Sequence, residues 1–144
     1  MIRAAEIKDA DIIASLAVLM WGNHSLKDLS GDFSKILSHK TARIFLKYEQ
    51  DIPVGFAQCQ LRYDYVEGTE SAPVGYLEGI FVLKTYRNKG YAKELLAECE
   101  KWAKSNGCRE FASDCEIGNN NSYLFHKAVN FSEVNRIICF VKKI

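Results

Sequence analysis

The apolar positions change period along the chain. Ile12, Ile13, Leu16, Leu19 and Met20 recur at helical spacing, which predicts a helix capped at Asp9 or Asp11 that stops near Gly22. A second short helix is expected around Asp32, with Phe33, Ile36 and Leu37 turned inward. The period then falls to two. Residues 42–48 and 54–63 read as strands joined by a turn through 50–53, and residues 1–5 read as a short strand ahead of them. Residues 66–75, with two Gly, one Pro and small polar side chains, read as a loop. Residues 75–83 form a nearly unbroken apolar run, the pattern of a strand covered on both faces.

A longer helix is expected over about 90–106. Ala92, Leu95, Leu96, Cys99, Trp102 and Ala103 make one apolar stripe, and Gly107 stands where a C-terminal cap belongs. Residues 109–116 read as a strand, 122–129 as a helix, and 131–141 as a closing strand or hairpin. The unit 75–83, 90–106, 109–116 is a βαβ crossover and requires parallel neighbours. The fold class is therefore α+β (α/β): one mixed central sheet flanked by helices.

At 144 residues the chain is expected to form a single domain, 1–144. No apolar stretch approaches the ~18 residues of a membrane span, and the first residues lack the apolar core of a leader peptide. Nineteen basic against 18 acidic side chains give a net charge of +1, which argues against a nucleic-acid binder. The balance is uneven along the chain: residues 1–72 carry 8 basic and 10 acidic side chains, residues 73–144 carry 11 and 8. Five cysteines with no C-x-x-C pair, and His24, His39 and His126 far apart, give no metal-ligand spacing. Reduced thiols and a cytoplasmic location are expected.

The stretch Arg87-Asn88-Lys89-Gly90-Tyr91-Ala92, followed by Lys93, lies between the apolar strand and the long helix. Amides at a helix start are unpaired and carry the positive end of the helix dipole. Gly90 allows close approach of a phosphate, Ala92 leaves the first turn uncrowded, and Arg87 and Lys89 add charge. A basic surface loop that happens to contain Gly is the bland alternative; the strand before it and the helix after it favour a pyrophosphate cradle. The spacing fits neither a Walker loop nor the dinucleotide G-x-G-x-x-G.

This stretch resembles the [R/Q]-x-x-G-x-[G/A] motif of the GNAT acetyltransferase superfamily, and the order of elements is similar over nearly the whole chain. The resemblance implies splayed parallel strands at the cofactor site, acetyl-coenzyme A held by the 87–93 loop, and backbone contacts to it from Ile80, Phe81 and Val82, with Gly79 a candidate bulge. The strings Trp21-Gly22-Asn23-His24, Arg62-Tyr63-Asp64-Tyr65-Val66, Leu77-Glu78-Gly79-Ile80-Phe81-Val82 and Cys108-Arg109-Glu110-Phe111-Ala112-Ser113-Asp114 resemble those of aminoglycoside 6'-N-acetyltransferases. Carried over position by position, the resemblance places Trp21, His24, Tyr65, Glu78 and Asp114 against the drug and Asn119 against coenzyme A. Relatives tend to present a Glu at Asn135, where Asn supplies a hydrogen bond without charge. The usual Gly-Phe appears as Asn130-Phe131, and Asn tolerates the same left-handed backbone. Relatives are often dimers, with the C-terminal strand a candidate for exchange.

The residues agree with this in part. An aminoglycoside is a polycation rich in hydroxyls, and its pocket needs carboxylates and an aromatic floor. Glu78 lies inside an apolar run, where a carboxylate is costly unless paired or functional. Glu78 is the candidate base for the acceptor ammonium, directly or through water, and His126 stands where many family members carry a Tyr acid on the C-terminal helix. An N–H near Val82 is the candidate oxyanion donor. Another amine acceptor, such as a polyamine or a peptide N-terminus, and a non-catalytic acyl-coenzyme A module are the competing readings.

Overall fold

The computed structural model describes all 144 residues. Its elements are β1 (Ile2–Ala4), α1 (Ala10–Ala17), α2 (Leu26–Leu37), β2 (Ala42–Glu49), β3 (Ile52–Arg62), β4 (Val74–Val82), α3 (Tyr91–Ser105), β5 (Phe111–Ala112) and α4 (Asn120–Ala128). The five strands lie in chain order, antiparallel from β1 to β4, and β5 joins β4 in parallel. The mixed sheet is therefore as expected, closed by the βαβ unit β4-α3-β5.

Alternation along the central strands fills both faces. Ile44, Leu46 and Phe56 turn toward α1 and α2, where they pack with Ile13, Ala14, Leu29 and Phe33. Phe45, Ala57, Cys59 and Leu61 turn the other way, onto Leu95, Leu96, Cys99 and Trp102 of α3. Burying a side chain such as Phe56 or Leu95 contributes about 1.5–3 kcal/mol, so these two layers hold the sheet rigid beneath the site. The α3 stripe is as the periodicity has it, and its two ends are marked by left-handed glycines: Gly90 at φ 83° and Gly107 at φ 87°.

Several boundaries differ from expectation, each for a local reason. α1 ends at Ala17, so Leu19 lies exposed in the turn that follows. α2 starts at Leu26, well before Asp32, because the Ser25 side chain accepts the Asp28 N–H and caps the helix. The β2–β3 turn is only Gln50-Asp51, with Gln50 at φ 54°, and Pro53 already belongs to β3. Of the strand expected over 109–116, only Phe111–Ala112 is laddered.

The closing strand expected over 131–141 does not form: residues 131–144 have no regular structure. A strand needs a ladder partner, and β5 offers an edge of only two residues. Ile137, Ile138, Phe140 and Val141 are left 63–96% exposed. The Asn130-Phe131 turn behaves as read, with Asn130 at φ 72°.

Candidate active site

β4 and β5 touch at two rungs, Gly75 opposite Phe111 and Tyr76 opposite Ala112. Beyond them β4 runs on to Val82 with no strand on that side, which leaves a fork. Which amides open into it is decided by one irregularity. Gln58 faces Gly79 and Cys59 faces Leu77, so Glu78 is an extra residue with no partner on β3. It is a β-bulge. The sequence pointed to Gly79 for this role; the extra residue is its neighbour.

In a strand each residue's N–H and C=O point to the same side, and successive residues alternate. Before the bulge, Gly75 bonds toward β5 (its N–H to Glu110 O, 3.1 Å) and Leu77 O accepts the Ser113 hydroxyl at 3.5 Å. After it, the Leu83 N–H bonds to Val54 O at 2.8 Å, on the β3 side. Val82 and Ile80 therefore face the fork, and Phe81 turns its backbone to β3. This corrects the expectation for Phe81, whose ring packs on Phe56 at 6.5 Å. The Val82 carbonyl is capped by Arg87 Nε at 2.8 Å. Ile80 and Val82 N–H remain for a ligand.

At the mouth of the fork stands the N-terminus of α3. Its first intrahelical bond is Glu94 N–H to Gly90 O, so the amides of Tyr91, Ala92 and Lys93 have no helical partner. Asn88 and Gly90 both take left-handed angles (φ 63° and 83°), and nothing lies within 4 Å of where a Gly90 Cβ would be. The cradle is open, and its donors fit a diphosphate. The side chains contribute less than expected. Arg87 is folded back on Val82 and the Phe81 ring, and Lys89 lies over Tyr86. The Tyr91 hydroxyl donates to Glu49 while its ring sits under the Lys47 ammonium, so only its backbone faces the cradle. Lys93 is exposed. The Asn119 side chain accepts the Ser122 N–H at 3.2 Å and caps α4.

On the acceptor side the structure brings Trp21, Glu78 and Asp114 together around the bulge. A Cβ on Gly79 would lie 3.1–3.2 Å from the Trp21 ring, so glycine there is what lets the indole lie against β4. Trp21 is held from behind by Phe33 and Phe56, each at 6.4 Å. Glu78 accepts three hydrogen bonds from Arg62, at 2.8–3.1 Å. Asp114 accepts from the Tyr76 hydroxyl. Burial and the Asp114 carboxylate push the Tyr76 phenol well above its ordinary value, so it remains a donor at any working pH.

The remaining expected residues lie further out. His24 is exposed; Tyr65 is exposed, with its hydroxyl accepting the Gly68 N–H at 3.4 Å. Asn135 Nδ2 donates to Glu67 at 2.9 Å in the same loop. His126 reaches the fork only through Ser113. Its Nδ1 lies 2.7 Å from the Ser122 carbonyl, which can only accept, so Nδ1 carries the proton. Nε2 lies 2.8 Å from the Ser113 hydroxyl oxygen.

Arg62, Tyr76 and Ser113 were not singled out from the sequence. For Arg62 a signal existed: a carboxylate embedded in an apolar strand implies a cation brought to it from elsewhere.

Residues 11–131 match the Acetyltransferase (GNAT) family. The chain belongs to the GNAT acetyltransferase family. It is similar to aminoglycoside N(6')-acetyltransferase type 1 of Salmonella typhimurium, 38% identical over 86% of each chain. It is similar also to the Serratia marcescens protein of that name, 36% identical over 99% of this chain and 98% of the other. Among solved structures, AAC(6')-Iy in complex with the bisubstrate analogue CoA-S-monomethyl-acetylneamine superposes with a TM-score of 0.95 at 35% identity. That match covers 100% of this chain and 98% of the other. The GNAT assignment accounts for the fork and the open helix start.

Proposed function

We propose that this GNAT enzyme transfers an acetyl group from acetyl-coenzyme A to the 6'-amine of aminoglycosides, and so confers resistance to them. The observation that carries the reading is the pair of acidic positions at the fork, Glu78 on β4 and Asp114 two residues past β5. A polycation is drawn to such a place, and in this reading the acyl donor lies in the fork beside these carboxylates. Near-full-length similarity to proteins named as aminoglycoside N(6')-acetyltransferases supports the same substrate class.

The chain's own groups divide the work. The donor supplies an activated acetyl group. As the amine bonds to it the C–S bond breaks, and coenzyme A leaves as a thiolate of pKa ~8.5 that takes its proton from water. The 88–93 amides hold its diphosphate, and Ile80 and Val82 N–H point where negative charge develops during transfer. The acceptor arrives as an ammonium of pKa ~10 and must lose a proton. Glu78 has one lone pair free on Oε2 and receives that proton directly or through water. Trp21 provides the floor; Asp114, His24, Tyr65 and Asn135 supply polar contacts further along the drug. His126, held at Nδ1 by the Ser122 carbonyl, fits a role through Ser113: it fixes that hydroxyl beside Leu77 O. Most of the acceleration comes from holding donor and amine in line.

Incubating the protein with acetyl-coenzyme A and tobramycin tests the reading. One acetyl group should be gained, located on the 6'-nitrogen by NMR. Turnover of spermidine with kanamycin and tobramycin silent would transfer the reaction to another amine. Coenzyme A binding without acetylation of any amine would make the protein a binding module.

The exposed apolar residues of 131–144 support a homodimer in which each arm pairs with the other copy. Sedimentation should show two chains in the particle, and truncation after residue 135 should leave one. Five unpaired thiols suit the reducing cytoplasm.

A further inference from the structure

Arg62 is the last residue of β3, opposite Val74. It reaches back along β4 and lays its guanidinium against the Tyr76 ring, with Cζ 3.4 Å from the ring centroid. From there it delivers Nε to Glu78 Oε1 at 3.1 Å, and Nη2 to Oε1 at 2.8 Å and to Oε2 at 3.0 Å. Stacking on one side and a forked bond on the other fix both position and plane. The supporting ring is itself tied, through its hydroxyl, to Asp114. One guanidinium thus links the two acidic positions of the fork.

We infer that Arg62 sets the acceptor specificity and aim of the site: it positions Glu78 and occupies part of the cation-binding space that the drug would otherwise fill. This rests on the aminoglycoside reading above. Two consequences follow from the bonds. A carboxylate has about four acceptor sites, and Arg62 takes three, both of those on Oε1 and one on Oε2. The single remaining lone pair, on Oε2, is the one that can meet the acceptor amine. Arg62 also halves the net charge that Glu78 and Asp114 would together present. Ground-state attraction for a polycation is weakened while the reacting oxygen stays fixed, and binding is saved for the geometry in which transfer occurs.

Removing Arg62 should therefore separate the two kinetic constants. In Arg62→Met, KM for tobramycin should stay the same or fall severalfold, because the acidic pair is uncovered. kcat should fall by about tenfold or more, because Oε2 is no longer aimed. Arg62→Lys should restore KM but only part of kcat, since an ammonium supplies charge without the planar fork. Arg62→Gln, which keeps one donor, guards against a Met variant that fails to fold. Coenzyme A affinity, measured by calorimetry on each variant, should be unchanged. A kcat within twofold of the parent in Met and Gln variants would overturn the inference. So would a KM that rises in step with the loss of kcat. Turnover of tobramycin by the parent enzyme is read separately and bears only on the substrate class: if another amine is the acceptor, the same split is measured with that amine.

Discussion

Glu78→Gln should lower kcat/KM for tobramycin by about 10²–10⁴, the range associated with loss of a general base. The substitution keeps the shape and the bulge, because the bulge is a property of the backbone register around Leu77 and Gly79. It removes the charge that receives the ammonium proton. It also forces a choice on the new amide: if its oxygen serves Arg62, its NH₂ group points at the incoming amine and repels it. Stability should change little. The Glu78 side chain is 23% exposed and that of Arg62 40%, and a pair this open to water contributes about 1 kcal/mol at most. That corresponds to roughly 2–4 °C in melting temperature for a domain of this size. Coenzyme A binding, which involves a different part of the fork, should be unaffected. Retention of activity within tenfold, with the melting temperature intact, would remove Glu78 from the proton path and leave it only a contact.

What was legible beforehand is what short-range physics decides. α3 could be read because its apolar stripe is regular and a glycine stands at each end, where the helix needs left-handed backbone. The parallel β4/β5 pairing followed from the crossover, and the open helix start from Gly90 between strand and helix. Even the oddity of Glu78 was visible as a charge inside an apolar run.

What could not be read is what depends on register or on distant partners. That Glu78 is the extra residue, and hence that Ile80 and Val82 rather than Phe81 face the fork, is a consequence of how β3 slides against β4. No local pattern carries that information, since one residue of slip reverses every side chain and amide. Arg62 is 16 residues from Glu78, and its role exists only once both strands are aligned. Residues 131–141 alternate as a strand does, but alternation says nothing of where the ladder partner is. α2 begins at Leu26, ahead of Asp32, because the Ser25 side chain caps it there.

The sharpest test of the cradle compares the two ends of one helix. Gly90 and Gly107 both take left-handed angles (φ 83° and 87°), and neither has an atom within 4 Å of where a Cβ would be. Valine at either place should therefore cost a similar amount of stability. Left-handed backbone costs an ordinary residue roughly 1–2 kcal/mol, with nothing added by steric overlap. Their effect on ligand binding should differ. At position 90 a residue strained in left-handed backbone opens α3, and that strained start turns the amides of Tyr91, Ala92 and Lys93 away from a common point. At position 107 the strain lies at the other end of α3, away from those amides. Gly90→Val should raise the dissociation constant for coenzyme A by about 100-fold or more, as befits the loss of a charge-assisted anion site at a helix start. Gly90→Ala should fall between Val and the parent, and Gly107→Val should bind like the parent. Because stability is matched across the pair, calorimetry with coenzyme A isolates the cradle from the fold. Equal weakening in both valine variants would mean that the diphosphate is held elsewhere, and the fork would lose the anchor that aims the acetyl group between β4 and β5.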